Sequence, residues 1–123
     1  MLVAQNLVPN YSFDTLTDCP SDVGYQGPLY APPWDGPTAG TPDIFNVCAT
    51  NPIVGVPNNF GGTQEPLEGD GYGGIICHLP TYECREYMMA PLIEPLVGGQ
   101  WYHVSFYVSL GEEMNCGIEK LGA

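Results

Sequence analysis

The clearest periodicity in the chain lies at 101–110, where Tyr102, Val104, Phe106, Val108 and Leu110 alternate with Trp101, His103, Ser105, Tyr107 and Ser109. A period of two belongs to an extended chain with one buried face, so this segment predicts a core strand. Gly98 and Gly99 before it read as the turn that leads in. Shorter β-type runs at 83–89, 71–77, 43–46 and 7–13 predict further strands. Pro91 and Pro95 stop any helix from running through 90–96, and the Pro- and Gly-rich stretch 25–41, which contains Trp34, reads as a loop. Only 112–121 has room for a brief helix, and Gly117 weakens it. Several short strands separated by turn residues, with no internal repeat, predict an all-β antiparallel sandwich.

Composition sharpens this picture. Sixteen Gly and 13 Pro in 123 residues would suit a disordered chain if apolar residues were scarce, but 44% of the sequence is hydrophobic and 11% aromatic. One folded domain fits the length. Fourteen Asp and Glu against two Lys and Arg give a formal net charge of -12, which excludes a phosphate-neutralising surface and hence nucleic acid as a partner. The same balance disfavours an anionic membrane surface, and no stretch approaches the roughly 20 apolar residues of a spanning helix. Such an acidic chain suits Ca²⁺-containing surroundings, because carboxylates and turn carbonyls are hard oxygen ligands.

Residues 1–5 resemble the tail of a signal peptide, with an apolar run and a small residue. Residues 6–123 then form the single domain, and 117–123 alternates like the opening of one more strand. We therefore expect a sandwich lacking its last strands. Five cysteines without a Cys-x-x-Cys pair point to disulfides in an exported protein. We expect Cys19 with Cys48 across a long irregular segment and Cys77 with Cys84 across a short loop, leaving Cys116 over. A zinc alternative would recruit Cys77, His78, Cys84 and Cys116, whose spacing matches no paired-knuckle pattern.

Two motifs yield to their context. Gly69-Asp70-Gly71-Tyr72-Gly73-Gly74 satisfies G-x-G-x-x-G, but a β-type run follows it where a dinucleotide site needs a helix, so it reads as a turn into a strand. Asn10-Tyr11-Ser12 fits the glycosylation sequon within a predicted strand, and we expect no glycan there. His78 and His103 fall in no metalloprotease pattern, there is no G-x-S-x-G elbow, and no spacing selects a catalytic pair among the carboxylates, so no enzyme is expected. The loop aromatics Tyr25, Tyr30, Trp34, Tyr72 and Tyr82 are more informative. A sugar presents a C–H face to such rings and hydroxyls to neighbours such as Asn58, Asn59 and Gln64; the plainer use of each ring is burial.

A set of motifs in order carries a family resemblance. Asn6-Leu7-Val8-Pro9-Asn10-Tyr11-Ser12-Phe13-Asp14 resembles the N-L-V-P-N-x-S-F-E opening of exported cell-surface proteins of Bacteroidota. Ala31-Pro32-Pro33-Trp34, Gly40-Thr41-Pro42-Asp43-Ile44-Phe45-Asn46-Val47-Cys48-Ala49, Val54-Gly55-Val56-Pro57-Asn58-Asn59-Phe60-Gly61, Arg85-Glu86-Tyr87-Met88 and the stretch 95–110 continue it. The resemblance implies a galactose-binding-like jelly roll, as in carbohydrate-binding modules, at the N-terminus of a larger polypeptide. Some relatives carry an OmpA-like domain or a type IX secretion sorting domain. It also implies a structural Ca²⁺ with Asp14 as a ligand, where the family pattern has Glu.

The expected function is thus a non-catalytic carbohydrate-binding-like module of an exported bacterial surface protein, reached through the periplasm and held extracellularly or at the outer membrane. Its partner would be a glycan or cell-envelope polysaccharide, stacked on Trp34, Tyr72 and Tyr82. The alternative is a structural or adhesive envelope domain without a small ligand. Glycan binding requires rings that share one solvent-facing surface, whereas a spacer would scatter or bury them.

Overall fold

The computed structural model describes residues 5–79, 81 and 84–123. Its regular elements are all short: β1 (Asp43–Asn46), a 3-10 turn (Pro52–Val54), β2 (Asn58–Asn59), β3 (Gly62–Thr63) and β4 (Gly71–Gly74). β1 and β4 pair antiparallel, with Ile44 opposite Gly73 and Phe45 opposite Tyr72. β2 and β3 form a small antiparallel hairpin. The chain is therefore all-β, built of small antiparallel ladders, with no α-helix among the described residues.

β1 is buried along its whole length, which is why the sequence Asp-Ile-Phe-Asn shows no simple in–out alternation. Its two faces serve different clusters. Ile44 joins Leu29 and Ala31, covered by Phe13, Leu16, Tyr30, Trp34 and Met88. On the same face a β-carbon at Gly73 would overlap the Met88 thioether, so the bare glycine lets methionine lie on the ladder. Phe45 occupies the other face, stacked on Tyr72 with centroids 5.2 Å apart and on Phe60 at 5.8 Å.

The predicted strand at 7–13 is instead a turn. Asn10 (φ 45°) and Phe13 (φ 60°) take the left-handed conformation, and the Phe13 N–H donates to the Asn10 carbonyl at 3.0 Å. Pro9 and an asparagine, which tolerates positive φ, favour this over a ladder. The half-buried Asn10 side chain fixes the turn: its amide donates to the Thr15 and Pro32 carbonyls and its oxygen accepts from the Thr15 N–H. Both hydrogens of the sequon amide are thus engaged within the chain. Of the run at 83–89, the described residues contribute the isolated bridge of Met89 with Asp35.

The predicted core strand 101–110 is extended but unpaired and exposed, with Trp101 fully accessible and Tyr107 at 80%. No backbone hydrogen bond joins it to another described residue. The chain is held on either side of it. Ile93 N–H donates to the Leu7 carbonyl at 2.9 Å, and the Glu113 N–H and the Glu112 carboxylate bind the β2–β3 hairpin at Gly61 and Thr63. The turn at Gly98 and Gly99 forms as expected, and 112–121, the one stretch with room for a brief helix, makes a turn at 112–113. Alternation reports a preference for extended backbone, and it does not supply a partner.

Candidate functional site

The disulfide Cys19–Cys48 forms as expected and ties the 19–30 loop to the end of β1. The loop is further fixed where the Asn51 amide donates to the Ser21 carbonyl at 2.7 Å and the Ser21 and Tyr30 hydroxyls bond at 3.0 Å. Tyr30 is thereby held in place and supports Tyr25, whose ring stacks on it at 5.1 Å. Tyr25 is 46% exposed. At Gly27 a β-carbon would overlap the phenol end of Tyr25, so the absence of a side chain there is what lets the ring lie down over backbone.

Beside this ring is an open cleft of about 270 Å³ between 25–29 and 35–42. Its polar lining includes Gln26, Asp35, Thr38 and Thr41, and Leu29 and Pro42 give it an apolar floor. Behind it stands a buried carboxylate pair. Glu86, 5% exposed, accepts from the Thr41 N–H at 3.0 Å, the Thr41 hydroxyl at 3.3 Å and the Ile76 N–H at 2.7 Å, clasping the cleft wall to the strand-like segment behind. Asp43 accepts from the Gly24 N–H at 2.7 Å. Burial raises its carboxyl to about 6, an effect the Gly24 N–H opposes and the negative charges of Glu86 and Asp22 reinforce.

The residues expected to stack on a sugar are not brought together. Trp34 is half-buried against Phe13 at 5.0 Å and donates its indole N–H to the Asn10 carbonyl at 2.9 Å. Tyr72 packs on Phe45, and its hydroxyl receives the Asn59 amide at 2.6 Å. Because Trp34 belongs to the Ile44 face and Tyr72 to the Phe45 face, the β1–β4 ladder lies between them. Tyr82 lies outside the described residues. Tyr25, Gln26 and Thr38 were not singled out as a group by the sequence; Tyr-Gln-Gly-Pro at 25–28 was the available signal, an aromatic followed by a residue with no β-carbon.

Asp14 holds a turn. Its carboxylate accepts from the Asp70 N–H at 2.7 Å and occupies the space a β-carbon would need at Gly69, which sits at φ +70°. This explains the Gly-rich turn into β4. No group of three or more His, Cys, Asp or Glu able to hold a metal occurs among the described residues. The second expected bridge is also absent: Cys77 and Cys84 are free thiols, as is Cys116. The Glu86 N–H donates to the Ile76 carbonyl at 2.8 Å. No ladder among the described residues sets Cys77 opposite Cys84. Burial pushes the Cys77 thiol up, with Glu86 adding to the effect and Arg85 opposing it.

No helix among the described residues is long and apolar enough to cross a membrane. No family model, curated protein or solved structure matches the chain.

Proposed function

We propose that this domain is a non-catalytic carbohydrate-binding-like module of an exported surface protein, with its sugar seat at the Tyr25 cleft rather than at Trp34 and Tyr72. The observation that carries the reading is the exposed Tyr25 ring, propped by Tyr30 and laid beside a cleft lined with amide, hydroxyl and carboxylate groups. Apolar ring surface next to hydroxyl partners is what a pyranose requires. The negative charge of the chain and Asp35 in the lining favour neutral over acidic sugars. The disulfide supports an oxidising, exported setting, and the domain's sandwich or jelly-roll completion belongs to the same proposal.

The test is a glycan array probed with the chain in Ca²⁺ and in chelator, repeated with Tyr25→Ala and Gly27→Ala. Binding of a neutral glycan, weakened at least about fivefold by either change at an unaltered melting temperature, supports the module; one stacking ring is worth about 1 kcal/mol. A well-folded chain that binds no glycan would instead establish the structural or adhesive reading. The packing of Trp34 and Tyr72 into the two faces of the ladder favours that second reading.

A further inference from the structure

The unpaired segment 101–110 has properties that no contact within the chain uses. It is anchored on both sides, at Ile93 and at 111–114, and stands out from the ladders with its backbone donors and acceptors free of other described residues. Tyr102, Val104, Phe106, Val108 and Leu110 are all exposed, between 39% and 69%. From 95 through 111 the sequence carries no formal charge, although the chain as a whole carries -12. A bare, uncharged, alternating edge is the feature soluble proteins cover or blunt.

The chain as a whole also exposes more surface than a folded monomer of its size, and 101–110 is part of that exposed surface. A folded monomer of 13.3 kDa exposes about 6,500 Å², whereas this chain exposes 8888 Å². The excess of about 2,400 Å² per chain exceeds what one partner contributes to a standard stable interface.

We propose that 101–110 is the self-association strand of this protein, pairing antiparallel with the same segment of a second copy about a two-fold axis at Phe106. Register and charge choose this arrangement. Side chains opposite each other share a face, so centring on Phe106 puts Val104 opposite Val108 and Tyr102 opposite Leu110, apolar against apolar throughout. It puts Glu112 opposite Gln100, Glu113 opposite Gly99, and Glu94 opposite Ile118, so that no carboxylate faces another. A parallel pairing would set Glu94 beside Glu94 and Glu112 beside Glu112. A centre displaced by one half-step, between Ser105 and Phe106, would set Phe106 against Ser105, Tyr102 against Ser109 and Val108 against His103. The contact is isologous and therefore closes as a dimer. It stands independently of the sugar reading.

The experiment is sedimentation equilibrium of the 123-residue chain over a hundredfold concentration range, with and without reductant, alongside hydrogen exchange. The expected result is a reversible dimer indifferent to reductant, with slowed exchange at 102–110. Phe106→Asp, which sets two like charges on the axis, should weaken association at least tenfold while the near-ultraviolet dichroism of the core is unchanged. Phe106→Cys should form a covalent dimer in which peptide mapping joins the two 106 positions, whereas Val104→Cys should not join to itself. A chain that stays monomeric throughout, a dimer dissolved by reductant, oligomers that grow without limit, or association indifferent to Phe106→Asp would each overturn the proposal.

Discussion

Asp43 and Glu86 face the same buried region and behave oppositely toward the fold. Glu86 is saturated by two backbone N–H groups and a hydroxyl, so its negative charge is compensated where it lies. Asp43 accepts from the Gly24 N–H, and burial raises its carboxyl to about 6 from the 3.8 of an unperturbed group. A carboxyl raised on folding favours the folded state when protonated. Its contribution is full below about 4 and is lost as the pH climbs through 6. Asp43→Asn should therefore raise stability at pH 7.5 by roughly 1 kcal/mol, after allowance for solvent screening. It should also flatten that part of the stability profile between pH 4 and 7, as read from urea midpoints of the two proteins. Glu86→Ala strands the Ile76 and Thr41 N–H groups and should cost about 2–3 kcal/mol, with Glu86→Gln recovering part of it. Neither role could be read from the sequence, where both are unremarkable members of a set of fourteen acids. What decides them is partners 19, 45 and 10 positions away. Asn10 was visible in the sequence as part of a motif, but its bond to the Pro32 carbonyl 22 positions away was not.

At the scale of elements, legibility followed the locality of the signal. The strands at 43–46 and 71–77 were read correctly in position, the second ending at Gly74, and the G-x-G-x-x-G run was read correctly as a turn into a strand. Glycine and proline impose these features locally. The β-type run at 7–13 contains Pro9 and Asn10, and these build a turn in place of a strand. The disulfide from 19 to 48 was legible because two cysteines flank an irregular segment that nothing else would hold. It closes 29 positions, so replacing both residues by Ser should lower stability by about 3–4 kcal/mol on the chain-entropy account. Because that loop carries Tyr30 and its support by Ser21, the same double variant should release Tyr25. Tyrosine near-ultraviolet dichroism should fall even below the unfolding temperature. An unchanged spectrum would mean that the hydrogen bonds of Ser21 alone hold the rings.

For the whole molecule, the governing facts are a charge of -12 and small ladders that bury few large side chains. The all-β character was legible because turn residues punctuate the chain every few positions; the way the ladders assemble was not, since packing of one sheet on another is set by contacts far apart in sequence. Like charges confined to a small domain repel, and that repulsion is screened over about 30 Å at 0.01 M salt but about 8 Å at 0.15 M. The melting temperature should therefore rise with NaCl between these concentrations. Calcium gives the discriminating comparison. Asp14 makes a hydrogen-bonded turn with Asp70, and a cation that acts only through screening follows ionic strength alone. Ca²⁺ should thus raise the melting temperature no further than NaCl at matched ionic strength, and Asp14→Asn, which keeps an acceptor for the Asp70 N–H, should leave the salt response intact. A Ca²⁺ increment beyond the matched NaCl control, removed by Asp14→Asn, would show instead that backbone carbonyls join Asp14 around a bound ion, the arrangement implied by the family resemblance.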